Sequence, residues 1–210
     1  MGATVSGNNN RFDEAAATWD EEPGRVKLAR AVADAIARQI QLSDDMDVLD
    51  FGCGTGLLTL ALQPHVHSVT GADASSGMLD VLRRKLQVQK LGNVETILLD
   101  PGAPLSLDAR FHLIVSSMAL HHVADLGPLF GRFHEQLRPG GQVALADLDR
   151  EDGSFHEDSR GVFHLGFERD DVEAHLAAAG FLDLGVTTAT IMQKAKGSYP
   201  IFLATGRRSR

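Results

Sequence analysis

With 210 residues and 43% hydrophobic content, the chain can bury one good core as a single domain. Its 28 acidic residues outweigh 20 basic ones, and a net charge of -8 gives no electrostatic footprint for nucleic acid or an anionic membrane. The single cysteine, Cys53, excludes an intramolecular disulfide.

No apolar run approaches the length of a membrane span, and the opening M-G-A-T-V-S-G-N-N-N lacks the basic and apolar regions of a signal peptide, so a cytoplasmic protein is expected. Met1 to Ser6 fits the short myristoylation pattern, although a solvated tail accounts for the same residues. Residues 1–10 are expected to be a disordered tail and 11–210 one domain, with 11–42 as its N-terminal helical cap.

Arg25 to Ile40 places Val26, Ala29, Val32, Ala33, Ile36 and Ile40 on one face, the spacing of an amphipathic helix after Pro23. The period then changes. Val48 to Phe51, His67 to Gly71, Val94 to Leu99, Phe111 to Ser116 and Gln142 to Leu148 are short, mostly apolar runs that suit buried parallel strands. Helices are predicted between them over Leu57 to Leu62, Ser75 to Leu91, and Leu126 to Leu137 before the stop signal Pro139-Gly140-Gly141. A further helix, Arg169 to Ala179, closes on Gly180. This alternation implies a doubly wound, Rossmann-like α/β sheet with helices on both faces. Leu184 to Met192 and Tyr199 to Thr205 break it and predict a terminal hairpin with an antiparallel strand.

The segment V-L-D-F-G-C-G-T-G, Val48 to Gly56, puts three glycines directly after the first strand. A dinucleotide fingerprint would need glycine where Leu57 stands, and the Gly-Lys-Ser/Thr of a P-loop is absent. Asp50 just before the loop would repel phosphate and attract a cationic group. Asp73, ending the second strand, is placed to accept hydrogen bonds from both hydroxyls of a ribose. Asp100, after the third strand, is placed to border an adenine ring, or to cap the turn at Pro101-Gly102. Together the three aspartates describe a nucleoside with a cationic tail and no phosphates.

V-L-D-F-G-C-G-T-G, T-G-A-D-A-S-S-G-M-L, F-H-L-I-V-S-S-M-A-L-H-H-V-A-D and L-R-P-G-G-Q-V-A-L-A-D, in that order, resemble the ordered motifs of the class I S-adenosylmethionine-dependent methyltransferases, in their small-molecule, type 11-like branch. The resemblance covers most of the chain and implies a seven-stranded sheet with an antiparallel C-terminal strand. It also implies S-adenosylmethionine as methyl donor and S-adenosylhomocysteine as product. Asp50, Gly52, Gly54 and Gly56 would surround the methionine part, with Asp73 on the ribose, Ala74 and Met78 beside the adenine, and Asp100 facing its amine. Ser116 and Met118 would flank the methionine end. Phe12 and Trp19, in F-D-E-A-A-A-T-W-D, would shield the sulfonium or simply pack on the sheet.

Methyl transfer from a sulfonium mainly requires alignment, and a base only when the acceptor arrives protonated. His121 and His122, after the fourth strand, are the candidate catalytic bases; the alternative is a structural role fixed by a neighbour such as Asp125. Beyond the fifth strand, Asp152 and His156 are candidates for substrate contact, whereas Glu151 reads as part of a solvated loop. None of the nine histidines has the Cys partners or H-E-x-x-H spacing of a recognised metal site, so no metal is expected. The expected acceptor is a small molecule, with no nucleic-acid or membrane partner, and the sequence sets no oligomeric state. The competing readings are a protein that binds S-adenosylmethionine without transferring its methyl group, and a protein methyltransferase.

Overall fold

The computed structural model describes residues 6–100, 102–107 and 109–210, with side chains from Arg11 onward. Helix α1 (Ser6–Ala15) leads through a 3-10 turn (Ala16–Glu21) into α2 (Pro23–Gln39). There follow β1 (Asp47–Phe51), α3 (Leu57–Leu62), β2 (Ser68–Asp73), α4 (Ser76–Gln89), β3 (Val94–Leu98) and β4 (Phe111–Ser117). The chain ends in α5 (Leu126–Gln136), β5 (Leu137–Leu148), α6 (Arg169–Ala178), β6 (Leu182–Lys194) and β7 (Gly197–Arg207).

The seven strands lie in the order β3-β2-β1-β4-β5-β7-β6. The first five are parallel to one another, while β7 is antiparallel to both β5 and β6. Side-chain alternation splits the core between the two faces. Val48, Leu113, Val115, Ile201 and Leu203 meet α2, α3 and α4, and Leu49, Ile114, Phe202 and Ala204 meet α5 and α6. Because both faces are covered, the central strands read as continuous apolar runs. No helix among the described residues is long and apolar enough to cross a membrane.

Three expectations change. Pro139-Gly140-Gly141 is not a loop: β5 begins at Leu137, directly after α5, and its register against β4 shifts between Phe111 and Leu113 to absorb the glycines. The terminal hairpin is longer than predicted, because Met192, Gln193 and Lys194 pair with Tyr199, Ser198 and Gly197 and leave only Ala195 and Lys196 to turn. Of the expected tail, residues 6–10 form the first half of α1; residues 1–5, and with them most of the myristoylation pattern, lie outside the described residues. The helix extends that far because its next residues are anchored. Asp13 accepts from Ser75 Oγ at 2.6 Å and from the Gly77 amide at 2.7 Å, which seats α1 on the N-terminus of α4.

Gly77 makes that seat: a Cβ there would lie 2.9 Å from Asp13 Cα and 3.0 Å from its Oδ1. Gly77→Ala should therefore push α1 off α4 while leaving the sheet intact. The expected result is faster proteolytic cleavage before Glu22 with the far-ultraviolet spectrum unchanged; an unchanged cleavage rate would overturn this role for the contact.

Candidate functional site

Strand order reverses between β1 and β4, and the crevice beyond their carboxyl ends is where an open α/β sheet receives a ligand. A cleft of about 1820 Å³ opens there, more than the usual 300–1,000 Å³ of a single small-molecule pocket, so it has room for two ligands side by side.

The glycine loop forms one wall, and its glycines do different work. Gly56, at φ 82°, is not among the residues that line the cleft; it packs inward, where an added Cβ would lie 2.3 Å from Leu82 Cδ1. Gly54, at φ 55°, faces the cleft, and an added Cβ would meet nothing within 4 Å. Gly52 also lines the cleft, with its amide on the Ala72 carbonyl at 2.8 Å.

Asp50 is 1% exposed and accepts from Thr59 Oγ1 at 2.5 Å. Burial, offset in part by the Thr59 hydroxyl and reinforced by nearby Asp73, pushes its carboxyl up to about 7. Asp73 accepts the Gly54 amide at 2.7 Å on one oxygen and the Ser75 amide at 2.8 Å on the other. It too is raised by burial, against the pull of those amides. The Ala74 amide also acts on this carboxylate, and the lone pair that remains is the acceptor it has for a ligand hydroxyl. Ala74 and Met78 line the same wall. Asp100 borders the cleft and also caps the following turn, accepting the Gly102 amide at 2.8 Å.

The N-terminal segment forms the opposite wall. Phe12 and Trp19 both line the cleft with ring centroids 5.9 Å apart, and the Arg25 guanidinium sits 3.8 Å from the Trp19 centroid. Asp20 accepts from Thr55 Oγ1 at 2.6 Å and pairs with Lys85, whose Nζ also donates to the Thr55 carbonyl at 2.7 Å. Arg11 donates to the backbone carbonyls of Asp158 and Arg160, each at 3.0 Å, and so fastens α1 to the loop beyond β5.

Past the glycine loop the cleft is lined by histidines. His121 is 2% exposed, and its Nδ1 lies 2.7 Å from Asp147 Oδ1. Asp147 is fully buried and also accepts the His121 and Leu148 amides. Burial alone would raise its carboxyl, but the His121 ring and these amides hold it below the ordinary range. The orienting residue expected at Asp125 is thus Asp147 instead, and Asp125 caps α5 through the Gly127 amide. His122 Nδ1 is bound to the Gly161 carbonyl at 2.7 Å, and its ring meets Phe12 edge-on. His156 lies 4.9 Å from the His121 ring, centroid to centroid. Burial and the neighbouring imidazoles lower His122 and His156 to about 4 each, so both are neutral at pH 7.

The structure does not bring every expected residue to the cleft. Ser116 is fully buried and donates to the Phe51 carbonyl at 2.9 Å, tying β4 to β1; its neighbour Ser117 lines the cleft in its place. Met118 does line it, with a left-handed φ of 57° held by its amide on the Ala146 carbonyl. Asp152 is exposed and accepts the Ser154 amide at 3.0 Å, outside the cleft. Among the described residues no group of three or more His, Cys, Asp or Glu could hold a metal ion.

Fold and site together define a Rossmann-like α/β protein whose switch-point crevice presents carboxylates and an open glycine to its ligand. Residues 25–180 match the family model described as "Methyltransferase domain", and the chain belongs to that methyltransferase family, whose members use S-adenosylmethionine. The chain is 34% identical over 118 residues to an uncharacterized methyltransferase of Schizosaccharomyces pombe, covering 53% of this chain and 42% of the relative. It is 32% identical over 145 residues to the ubiquinone biosynthesis O-methyltransferase of Coxiella burnetii, covering 67% and 61%. The chain thus spans less than two thirds of these relatives' length. Among solved structures, the putative methyltransferase of Haloferax volcanii in complex with the Trm112 methyltransferase activator superposes with a TM-score of 0.77 at 17% identity, over 95% of this chain and 98% of that one.

Proposed function

We propose that this protein transfers the methyl group of S-adenosylmethionine to a small-molecule acceptor by in-line displacement. The observation that carries the reading is the pairing of Asp73, a carboxylate lining the cleft, and Gly54, open to the cleft 2.7 Å away along its amide. In this reading Asp73 holds the ribose, Asp50 faces the cationic methionine end, and Ala74, Met78 and Asp100 border the adenine. Phe12 and Trp19 exclude water from the sulfonium. The cofactor supplies an activated methyl group, so the chain's own task is alignment, worth roughly 7–11 kcal/mol of barrier. A small acceptor is supported by the roof over the histidine end of the cleft, where Arg11 draws α1 onto the loop beyond β5.

The test is to incubate the protein with methyl-labelled S-adenosylmethionine and a fractionated extract of its host. Label in the small-molecule filtrate is expected. Label in protein or RNA would overturn the acceptor class, and bound cofactor with no label in any fraction would favour a protein that only binds it.

Binding should depend on pH through Asp50, raised to about 7 in the free protein. A cationic cofactor favours the ionised carboxylate, so below pH 7 binding must first release a proton. Affinity should therefore fall as pH drops, approaching tenfold per unit for one linked proton. Asp50→Asn should flatten this dependence in calorimetric titrations, and an equally steep slope in that variant would rule Asp50 out as its source.

A further inference from the structure

Three imidazoles meet at the roofed end of the cleft, with His121 centroids 4.1 Å from His122 and 4.9 Å from His156. Their nitrogens are committed differently. His122 spends Nδ1 on the Gly161 carbonyl, presses its ring against Phe12, and so holds the loop beyond β5 to the roof. His121 spends Nδ1 on Asp147, a carboxylate buried behind it, which leaves Nε2 as the nitrogen this cleft-lining ring has for a ligand. His156 Nε2 is buried with no hydrogen-bond partner among the described residues. An orphaned buried nitrogen is destabilising unless a ligand supplies its partner.

We propose, on the reading that this cleft transfers methyl groups, that the acceptor is an uncharged hydroxyl compound, that His121 is its general base aimed by Asp147, and that His156 Nε2 contacts the hydroxyl oxygen or a second polar group beside it. Asp147 is the positioning residue. By accepting the Nδ1 proton it fixes the tautomer in which Nε2 carries a lone pair, and it stabilises the imidazolium that forms. The acceptor's O–H proton passes to His121 Nε2 as the oxygen–methyl bond forms; the methyl–sulfur bond breaks with its electron pair left on sulfur, and His121 then gives the proton to water. Acceptor and cofactor cation thus become methyl ether, neutral thioether and one released proton, with the His121 base restored.

The surroundings favour a neutral hydroxyl over charged acceptors. An anionic carboxylate needs no base, and the two cations acting on His156 are committed elsewhere, Arg11 to the carbonyls of Asp158 and Arg160 and Lys194 to the Phe155 carbonyl at 2.7 Å. A cationic amine would need an open carboxylate, whereas Asp147 is fully buried and saturated by His121 and two amides. The groups bearing on His121 are Asp147 from β5, His122 beside it and His156 from the following loop, with Arg11 acting on the last two from α1 and Lys194 acting on His156 from β6. His122 and His156, lowered to about 4, are too weakly basic to share the task near pH 7.

The first arm of the test needs neither cofactor nor acceptor: the nitrogen NMR spectrum of histidine-labelled protein at about pH 7.5 reads each ring's tautomer. The His121 ring proton facing Asp147 should be seen on Nδ1, and Asp147→Asn, whose amide can face Nδ1 with N–H, should move that proton to Nε2. A His121 ring protonated on both nitrogens, or on Nε2 in the wild type, would overturn the proposal. In the second arm the labelled small-molecule product is identified. A methyl ether is expected, and an N-methyl, ester or carbon-methylated product would overturn it. His121→Gln should then transfer label about 10²–10⁴-fold more slowly and lose the rise of rate with pH, with cofactor affinity retained. Asp147→Asn should reproduce the loss of rate, which guards against His121→Gln failing to fold. His156→Phe, which keeps the ring and removes its nitrogens, should raise KM for the acceptor more than it lowers kcat. Wild-type protein that transfers no label would defeat the methyltransferase reading, whereas transfer that survives His121→Gln would defeat only this one.

Discussion

Asp73→Ala is expected to bind S-adenosylmethionine at least about a hundredfold more weakly than the wild type, because two hydrogen bonds to an ionised group contribute roughly 1.5–3 kcal/mol each. The loss has a second source in the structure. Asp73 holds the glycine loop in place by accepting the Gly54 amide, and the start of α4 by accepting the Ser75 amide. Removing the carboxylate leaves both donors to find water in the space the ribose would occupy. Asp73→Asn separates the two sources: its side-chain oxygen can keep the Gly54 contact, while its NH2 cannot accept from a hydroxyl. It should fall between wild type and Asp73→Ala in a calorimetric titration. Unchanged affinity in Asp73→Ala would refute the ribose assignment.

The second large effect separates two glycines only two positions apart. Gly56→Ala should destabilise the fold by about 2–4 kcal/mol, since the added methyl strikes Leu82 in the core and the backbone is left-handed. Gly54→Ala should cost only the left-handed backbone term of about 1–2 kcal/mol, because its methyl meets nothing. That methyl projects into the space assigned to the cofactor, so this variant should fold and fail to bind. Thermal unfolding and titration of the two variants give opposite profiles if the assignment holds. Normal cofactor affinity in folded Gly54→Ala would place the ligand elsewhere.

Periodicity and buried runs made most elements legible, since apolar spacing at 3.6 or 2 reports directly which face is covered. α3 falls where the sequence put it, Leu57–Leu62, and β1 gains only Asp47. What failed was punctuation. Pro139-Gly140-Gly141 has the chemistry of a loop, yet a register shift lets a strand pass through it. In the site, residues at strand tips were legible because an α/β sheet delivers them to one edge, as with Asp50, Asp73 and Met118. Ser116 was not, because neighbouring strand residues face opposite ways and one step decides between the sheet interior and the cleft. Asp147 lies within the predicted fifth strand, but its contact with His121 spans 26 residues and belongs to the pairing of β4 with β5. Arg11 gave no signal, because its hydrogen bonds go to backbone carbonyls, which any sequence offers.

The order of the last three strands has a kinetic consequence. β7 follows β6 along the chain yet lies between β5 and β6, and β6 pairs with no other strand. β6 therefore cannot join the sheet when it is made; it must wait until β7 has been synthesised and the hairpin can dock on β5 as a unit. Until then the outer edge of β5 stands open, with Ala144, Ala146 and Leu148 among the residues the docked hairpin covers. The moment of greatest risk is thus the interval between the synthesis of β5 and that of β7, and a truncation after Lys196 would remove one strand from the sequence but two from the sheet.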